Sequence, residues 1–465
     1  MVSPPRLAAY QALLAVETNL DDLPSALART RAAMSDERDR ALTAEIATGT
    51  LRWQGQLDAL IAHFGRRPTV RLDPEVLIIL RLSAYQLLHL TRIPPSAATN
   101  EAVTLARHAR KASAAGFVNA VLRAIWRARD DLPLPPRPTA AMVDRIGTDA
   151  AASAAALDYL SVTLSHPRWL ATRWLDRYGF DGTAQWEQFN NAAAPLTVRA
   201  NTLKLTTAEL ARQLQQHGVA TTPASYAPDG LLVTAGNPLR TPVADLGGFF
   251  VQDEASQLIA VLAAPNPGQR VLDCCASPGG KTTAMAATMR DEGLIVAADV
   301  RARRVDLLRR TVERSGAHAV RLALLDAQQP LPFDGTPFDL VLIDAPCSGL
   351  GTIRRDPEIR WRRNESDLAR FAATQLRMLE HAARVVRPGG RLVYATCSSE
   401  PDENDDVIAA FLAAHSSFSL VDDRSQHAPA GLAAVLDERG ILRTSPVAHG
   451  LEAFFGAVLR RAATG

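Results

Sequence analysis

Two cysteines and an aspartate are the residues in this sequence best suited to covalent chemistry. Asp344 and Cys347 follow the apolar run FDLVLI, and Cys397 ends the apolar run RLVYATC fifty residues later. Both runs have the composition of buried strands, so the three side chains are expected at one edge of a parallel sheet. A thiolate is a strong nucleophile, and a carboxyl group can move a proton.

Cytosine is a base whose chemistry requires these groups. Its carbon 5 becomes nucleophilic only after a thiolate adds to carbon 6 and an acid protonates ring nitrogen 3. The alternative is that Cys347 and Cys397 are small packing residues, as free cysteines often are. The combination of both thiols with Asp344 favours catalysis. The spacing does not say which thiol attacks, and DNA cytosine methyltransferases use the cysteine of a Pro-Cys pair, here Cys347.

A glycine turn before these motifs predicts a nucleoside site. Residues 275–281 follow the apolar run RVLDC, read CASPGGK and lead into a helix. Paired glycines let a ligand approach the backbone closely. The turn lacks the first glycine of a P-loop and the spacing of a dinucleotide fingerprint, so an adenosine ligand without a phosphate chain is favoured.

Two more carboxylates follow neighbouring apolar runs. Asp299 ends the run LIVAAD, 26 residues after Asp273, and an acid at roughly 20 residues commonly binds ribose hydroxyls in Rossmann folds. Asp326 ends RLALLD and could take an adenine amino group. Either residue could instead cap a turn or a helix, Asp299 the helix predicted to begin near Arg301.

The elements that must position these groups fall into three predicted domains. Residues 1–132 read as an all-α bundle with an excess of basic residues, which fits a polyanionic partner. A proline cluster at 133–138 predicts an extended linker. Residues 140–240 read as a small α+β module, and 241–465 alternate strands and helices as in a Rossmann-like α/β fold.

Composition limits the class of protein. The 465 residues hold only four cysteines, without the CxxC spacing of metal sites, so no metal is predicted. No apolar run is long enough to cross a membrane, and no export signal is recognised, so we expect a cytoplasmic protein. An arginine cluster around Trp361 combines charge with a stacking ring and predicts an RNA contact, although a solvated charge run is the alternative. The arginines are Arg354, Arg355, Arg360, Arg362 and Arg363.

The motifs DAPCSGLGTIRRDPEIRW, YATCSSEPDEN and CASPGGKT resemble those of the RNA cytosine-C5 methyltransferases, most closely the RsmB, Sun or Fmu family that acts on bacterial 16S rRNA. The segments LRLSAYQLLHLTRIPPSAATNEAV and FVNAVLR resemble the NusB-like RNA-binding domain fused to that family. The resemblance extends over nearly the whole chain. It implies an S-adenosylmethionine-dependent methyltransferase that takes part in rRNA processing and makes 5-methylcytosine, and we expect a monomer.

The resemblance also implies a role for each site residue. Cys397 would be the nucleophile, Cys347 would help to remove the carbon 5 proton, and Asp344 would lie beside the methyl donor and the target base. Asp299 would hold the ribose of S-adenosylmethionine and Asp326 its adenine. The turn that wraps this cofactor would consist of Cys275, Ala276, Ser277, Pro278, Gly279, Gly280 and Lys281.

Alternatives and departures from the family remain. The same chemistry would serve a tRNA methyltransferase, and a non-catalytic RNA-binding factor could keep a relic of the domain. Near the C-terminus the chain has Glu452-Ala453 where the family usually shows Asp-Gly, which puts a tight backbone turn in doubt. Ser277 stands where alanine is more usual, and Cys274 is expected to have a packing role.

Overall fold

The computed structural model describes residues 2–333, 337–422 and 428–463, and the chain forms two compact units. One unit holds Met1–Ala193 and Ile353–Glu365, and the other holds Ala194–Thr352 and Ser366–Gly465. The predicted middle module, 140–240, is therefore shared between the units, and the predicted domain boundaries stay a prediction. Within the described ranges, no helix is long and apolar enough to cross a membrane.

Helices form the regular structure of the first unit, as the sequence predicts. A small apolar core lies among the helices of residues 140–191, and the helices before them pack around one large apolar core. No helix or strand is assigned over residues 131–139, where the proline cluster lies. The helices are α1 (Pro4–Glu17), α2 (Leu23–Arg31), α3 (Glu37–Arg52), α4 (Gln54–Gly65), α5 (Pro74–His89), α6 (Pro95–His108), α7 (Ala115–Arg127), α8 (Ala140–Val143), α9 (Ala150–Asp158) and α10 (Arg168–Asn191).

Helix α5 is the central helix of this core. In the sequence, Asp73-Pro74 and the apolar spacing after it predict a helix with Asp73 as its cap and one apolar face, and α5 begins at Pro74 because proline fits the first turn of a helix. Every residue from Val76 to Leu87 is buried, so the helix packs on all sides and not only on its predicted apolar face. The Asp73 side chain does not cap the helix. It accepts a hydrogen bond from Lys111 Nζ at 2.7 Å instead.

A small antiparallel sheet begins the second unit. Its strands are ordered β2-β3-β1-β4, and α11 packs beside them. A capping box of Thr206 and Glu209 starts α11 by satisfying free backbone N–H groups. The elements are β1 (Thr197–Ala200), α11 (Thr207–Gln216), β2 (Ala220–Pro223), β3 (Gly230–Ala235), α12 (Pro242–Asp245) and β4 (Phe249–Val251).

A second, mixed sheet forms the Rossmann-like part of this unit and contains all five strands that the sequence analysis singled out. Five of its strands run parallel, in the order β7-β6-β5-β8-β9. The order reverses between β5 and β8, and ligands of such sheets bind at the carboxyl ends of the strands at this point. The elements are α13 (Glu254–Ala263), β5 (Arg270–Asp273), α14 (Gly280–Thr288), β6 (Leu294–Asp299), α15 (Ala302–Ser315), β7 (Val320–Leu324) and β8 (Phe338–Asp344).

The segment 353–365 interrupts the second unit in sequence but belongs to the first. Its short helix α16 (Ile359–Arg362) carries Arg360, whose side chain is fully buried. Arg360 donates to the carbonyl of Ser165 at 2.9 Å and to Asn191 Oδ1 at 2.9 Å. The prediction that Arg360 contacts RNA is therefore wrong, because a buried guanidinium that anchors its own segment cannot reach a ligand. Arg362 of the same cluster remains exposed.

The chain then completes the larger sheet. Strand β12 pairs antiparallel with β9 and β10, and apolar clusters line both faces of the sheet. Ala453 lies outside the left-handed region that glycine would favour, so the backbone at this position does not require the family's glycine. The remaining elements are α17 (Asp367–Val385), β9 (Val386–Thr396), α18 (Asp405–Ala414), β10 (Phe418–Leu420), α19 (Ala430–Ala433), β11 (Leu442–Arg443), α20 (Pro446–His449) and β12 (Phe455–Arg461).

Candidate active site

A cavity of about 240 Å³ opens at the carboxyl ends of β5, β6, β7 and β8. The predicted site residues meet here because parallel strands bring their carboxyl ends to one edge of the sheet. Val300, Leu325 and Met378 add apolar walls, and Arg304 adds a charge; sequence reasoning had assigned none of these four. The predicted residues that line the cavity are Cys275, Ser277, Asp299, Asp326, Asp344, Cys347 and Cys397.

The glycine turn joins β5 to α14. Gly279 takes a positive φ of 107° at the start of the helix, and a Cβ there would approach Leu308 and Thr311 within 2.9–3.1 Å. Glycine is therefore required by both the backbone and the packing. The Arg199 side chain of β1 stabilises the turn by donating a hydrogen bond to the Gly280 carbonyl at 3.1 Å. Ala276, Pro278, Gly279 and Gly280 shape the turn without lining the cavity.

Lys281, the last residue of this turn, forms an ion pair with Asp344. Its Nζ lies 2.5 Å from Asp344 Oδ2, so the ammonium group pairs with the carboxylate predicted to act on the base. Burial disfavours the charge on Lys281, but the carboxylate of Asp344 more than offsets this, and the pKa of Lys281 is raised. The turn therefore contributes a positively charged hydrogen-bond donor beside Asp344.

Cys347 and Cys397 are in direct contact. Their Sγ atoms lie 3.3 Å apart, and the backbone of the loop after Cys347 is tied to that of Cys397 by the Gly351 N–H, which donates to the Cys397 carbonyl at 2.9 Å. The hydrogen bond to Cys397, together with burial, raises the pKa of Cys347 well above its usual value. The raised pKa favours the protonated thiol form of Cys347.

The other two cysteines have different surroundings. Cys274 is buried in an apolar cluster, as a packing role would require, and it also lines the cavity. Cys275 lines the cavity, but burial raises the pKa of its thiol well above the usual value. Neither has the close thiol partner that Cys347 and Cys397 provide for each other.

Asp299 and Asp326 combine local turn contacts with positions on the cavity wall. Asp299 Oδ1 accepts from the Arg301 N–H at 3.2 Å just before α15, and its Oδ2 lies 3.8 Å from an Arg304 guanidinium nitrogen. Asp326 Oδ1 accepts from the Gln328 N–H at 2.9 Å. The local turn contacts of the alternative reading are thus present, and both side chains also line the cavity.

Glu403 is a buried acid next to this site that sequence reasoning did not identify. It accepts hydrogen bonds from Ser348 and Ser398, each the neighbour of one of the paired cysteines. Its place six residues after Cys397 in YATCSSEPDEN is the signal that could have pointed to it. In the described part of the chain, no group of His, Cys, Asp and Glu could hold a metal ion.

Three segments of the chain match known protein families. Residues 3–127 match the NusB family, 166–240 match the ferredoxin-like domain of RsmF/B-like methyltransferases, and 260–460 match the description 16S rRNA methyltransferase RsmB/F. The matches confirm the predicted order of an all-α domain, an α+β module and a methyltransferase domain.

Full-length relatives agree with these matches. The chain is 32% identical over 430 residues to the probable ribosomal RNA small subunit methyltransferase B of Bacillus subtilis (strain 168), which covers 91% of each protein. It is 36% identical to the ribosomal RNA small subunit methyltransferase B of Pseudomonas syringae pv. tomato, over 92% of this chain and 91% of the relative. The crystal structure of PH0851 superposes with a TM-score of 0.79 at 27% identity, over 99% of both chains. The chain therefore belongs to the RsmB/F family of rRNA methyltransferases.

Proposed function

We propose that this protein transfers a methyl group from S-adenosylmethionine to carbon 5 of a cytosine in 16S rRNA, in the cytoplasm, through a covalent bond between Cys397 and carbon 6. The observation that carries the proposal is the thiol pair, 3.3 Å apart, on the same cavity as the Asp344 carboxylate, which pairs with Lys281. A nucleophile, a second thiol and a proton donor are the groups that this reaction needs.

The cavity fits the adenosine part of S-adenosylmethionine. We assign Asp299 to the ribose hydroxyls and Asp326 to the adenine amino group, because both line this cavity together with the apolar Val300 and Leu325. Ser277 Oγ is a buried atom on this cavity that has no hydrogen-bond partner among the residues the structure describes, as expected of a group that contacts a ligand. When bound, S-adenosylmethionine supplies an electrophilic methyl group.

The residues divide the first half of the reaction among them. The Cys397 thiolate forms the bond to carbon 6, and the electron pair of the carbon 5–carbon 6 double bond moves toward ring nitrogen 3. In this proposal Asp344 relays a proton to that nitrogen from the Lys281 ammonium, which donates to Asp344 at 2.5 Å, so the negative charge that forms on the ring is neutralised. Carbon 5 is then an enamine carbon that can accept the methyl group.

Cys347 serves the second half. The pKa of Cys347 is raised first of all by its hydrogen bond to Cys397, so Cys347 stays protonated while Cys397 attacks. Once the Cys397 sulfur is bonded to carbon 6, it no longer carries a negative charge beside Cys347. Cys347 can then ionise and take the proton from carbon 5. Breaking the bond between Cys397 and carbon 6 then restores the ring double bond and frees the thiolate.

The first unit offers a surface for RNA. A groove between α6 and α7 is lined by the basic residues Arg123 and Arg127, the amides of Asn100 and Asn119, and Trp126. Its lining contains no acidic side chain. Arginines that face phosphates and an aromatic ring that stacks on bases are the elements of single-strand binding.

Bisulfite sequencing of total RNA tests both the reaction and the substrate. We expect one 16S rRNA cytosine to lose its protection in a deletion strain and to regain it with the wild-type chain but not with Cys397→Ala. A site found in tRNA instead would establish the alternative substrate. If no cytosine changes while the purified chain still binds RNA, the non-catalytic alternative is correct.

A further inference from the structure

Glu403 is fully buried beside the thiol pair, and no step of the proposed reaction uses it. Its Oε1 accepts hydrogen bonds from the Ser348 N–H at 2.8 Å and from Gln375 Nε2 at 3.0 Å. Its Oε2 accepts from the hydroxyls of Ser348 and Ser398. All of these contacts are donors, so they satisfy the acceptor sites of a deprotonated carboxylate.

The partners of Glu403 are the immediate neighbours of the two reactive cysteines. Ser348 follows Cys347 on the loop after β8, and Ser398 follows Cys397 on the loop after β9. The two hydroxyl oxygens also lie 3.2 Å from each other. One carboxylate therefore ties together two loops that are fifty residues apart in sequence.

The backbone of Glu403 is itself fixed. The Tyr394 hydroxyl on β9 donates to the Glu403 carbonyl at 2.5 Å, and the next residue, Asn404, donates to the Ser398 carbonyl at 3.0 Å. Gln375 of α17 donates to the Pro346 carbonyl at 3.1 Å as well as to Glu403. The carboxylate is thus held by both a strand and a helix, as a group that sets the position of others requires.

We propose that Glu403 is the positioning residue that clamps the two thiol-bearing loops together, so that Cys347 and Cys397 stay in contact through the reaction. The inference deepens the proposed function and rests on it, because the contact serves catalysis only if the thiols act in sequence. The charge of Glu403 supports the same arrangement. After the hydrogen bond to Cys397, burial and the charge of Cys397, it adds to the causes that raise the pKa of Cys347.

Oxidative cross-linking measures the contact without requiring any methyl transfer. Diamide takes two electrons and two protons from a pair of adjacent thiols, which become a disulfide, and peptide mapping identifies the Cys347–Cys397 product. Two variants weaken the clamp while keeping the carboxylate charge. Ser348→Ala/Ser398→Ala removes both hydroxyl donors, and Glu403→Asp shortens the side chain by one methylene group.

A neighbouring serine provides the matched control. Ser399 lies in the same loop, and its hydroxyl donates to Glu400, not to Glu403. We expect cross-linking to slow by about tenfold or more in both clamp variants and to stay near the wild-type rate in Ser399→Ala, since small displacements of reacting groups have large effects on rate. If Ser348→Ala/Ser398→Ala does not fold, the single variant Ser398→Ala replaces it in the same measurement. Wild-type cross-linking rates in the clamp variants would overturn the inference, whatever RNA the protein modifies.

Discussion

Replacing Asp299 by asparagine separates the two roles that its position allows. The amide oxygen of asparagine can still accept the hydrogen bond from the Arg301 N–H, so the start of α15 is kept. The negative charge on the oxygen near Arg304, 3.8 Å away, is lost. If Asp299 only caps the helix, Asp299→Asn should bind the cofactor normally. If it holds the ribose, the affinity should fall.

The size of the loss follows from the burial of this carboxylate. The Asp299 side chain is 4% exposed, so little water screens its contacts with a ligand. Hydrogen bonds to a charged group contribute about 1.5–3 kcal/mol, which corresponds to a dissociation constant about 10-fold to 150-fold weaker. Isothermal titration calorimetry with S-adenosylhomocysteine measures this without turnover.

Asp306→Asn is the matched control for this experiment, because it makes the same change on an exposed turn of α15. It should bind S-adenosylhomocysteine as the wild type does. A dissociation constant for Asp299→Asn within about twofold of the control would refute the reasoning and leave Asp299 as a helix cap.

Three further predictions concern other parts of the chain. Burial raises the pKa of Asp273 to about 7, so its ionisation in the folded state lowers the free energy of unfolding as the pH rises from about 4 to 7. Asp273→Asn should therefore become more stable relative to wild type across that window, with no further relative gain above it. Urea unfolding at several pH values measures this difference. Arg123→Ala/Arg127→Ala should weaken RNA binding and make its salt dependence shallower by about 1–2 in slope, as measured by filter binding. Lys281→Met should lower the turnover number about 100-fold or more in a tritium-transfer assay, because Asp344 loses its proton source; near-normal turnover would contradict that role.

Much of the fold could be predicted from the sequence because its signals are local. The five parallel strands lie where the apolar runs predict them, although β9 begins at Val386, five residues before the run RLVYATC. The proline at 74 marks a helix start, and the proline cluster marks a break, because ring geometry acts on the nearest residues alone. The polar segment TRIPPSAATNEAV indicates a turn, but only its first residues form one, since Pro95 already begins α6.

The site was harder to predict where it depends on distant partners. The residues at strand ends could be found, because one rule of parallel sheets places them at the same edge. The sequence does not show which charged residues are buried. Arg360 lies in a basic cluster that resembles an RNA-binding site, but its side chain is buried and donates a hydrogen bond to a carbonyl of its own unit. Likewise, nothing in the spacing shows that Glu403 bridges two loops, because Ser348 is 55 residues away.

The roles of the two thiols are tested most directly by trapping the covalent intermediate. Cys347→Ala should still attack carbon 6 through Cys397 and accept the methyl group at carbon 5, but it should stall before the carbon 5 proton leaves. We therefore expect Cys347→Ala to accumulate a protein–RNA adduct, seen as a slower band on a denaturing gel, and the Cys347→Ala/Cys397→Ala variant to form none. An adduct that forms with Cys397→Ala and is absent with Cys347→Ala would contradict the account, because it would make Cys347 the nucleophile.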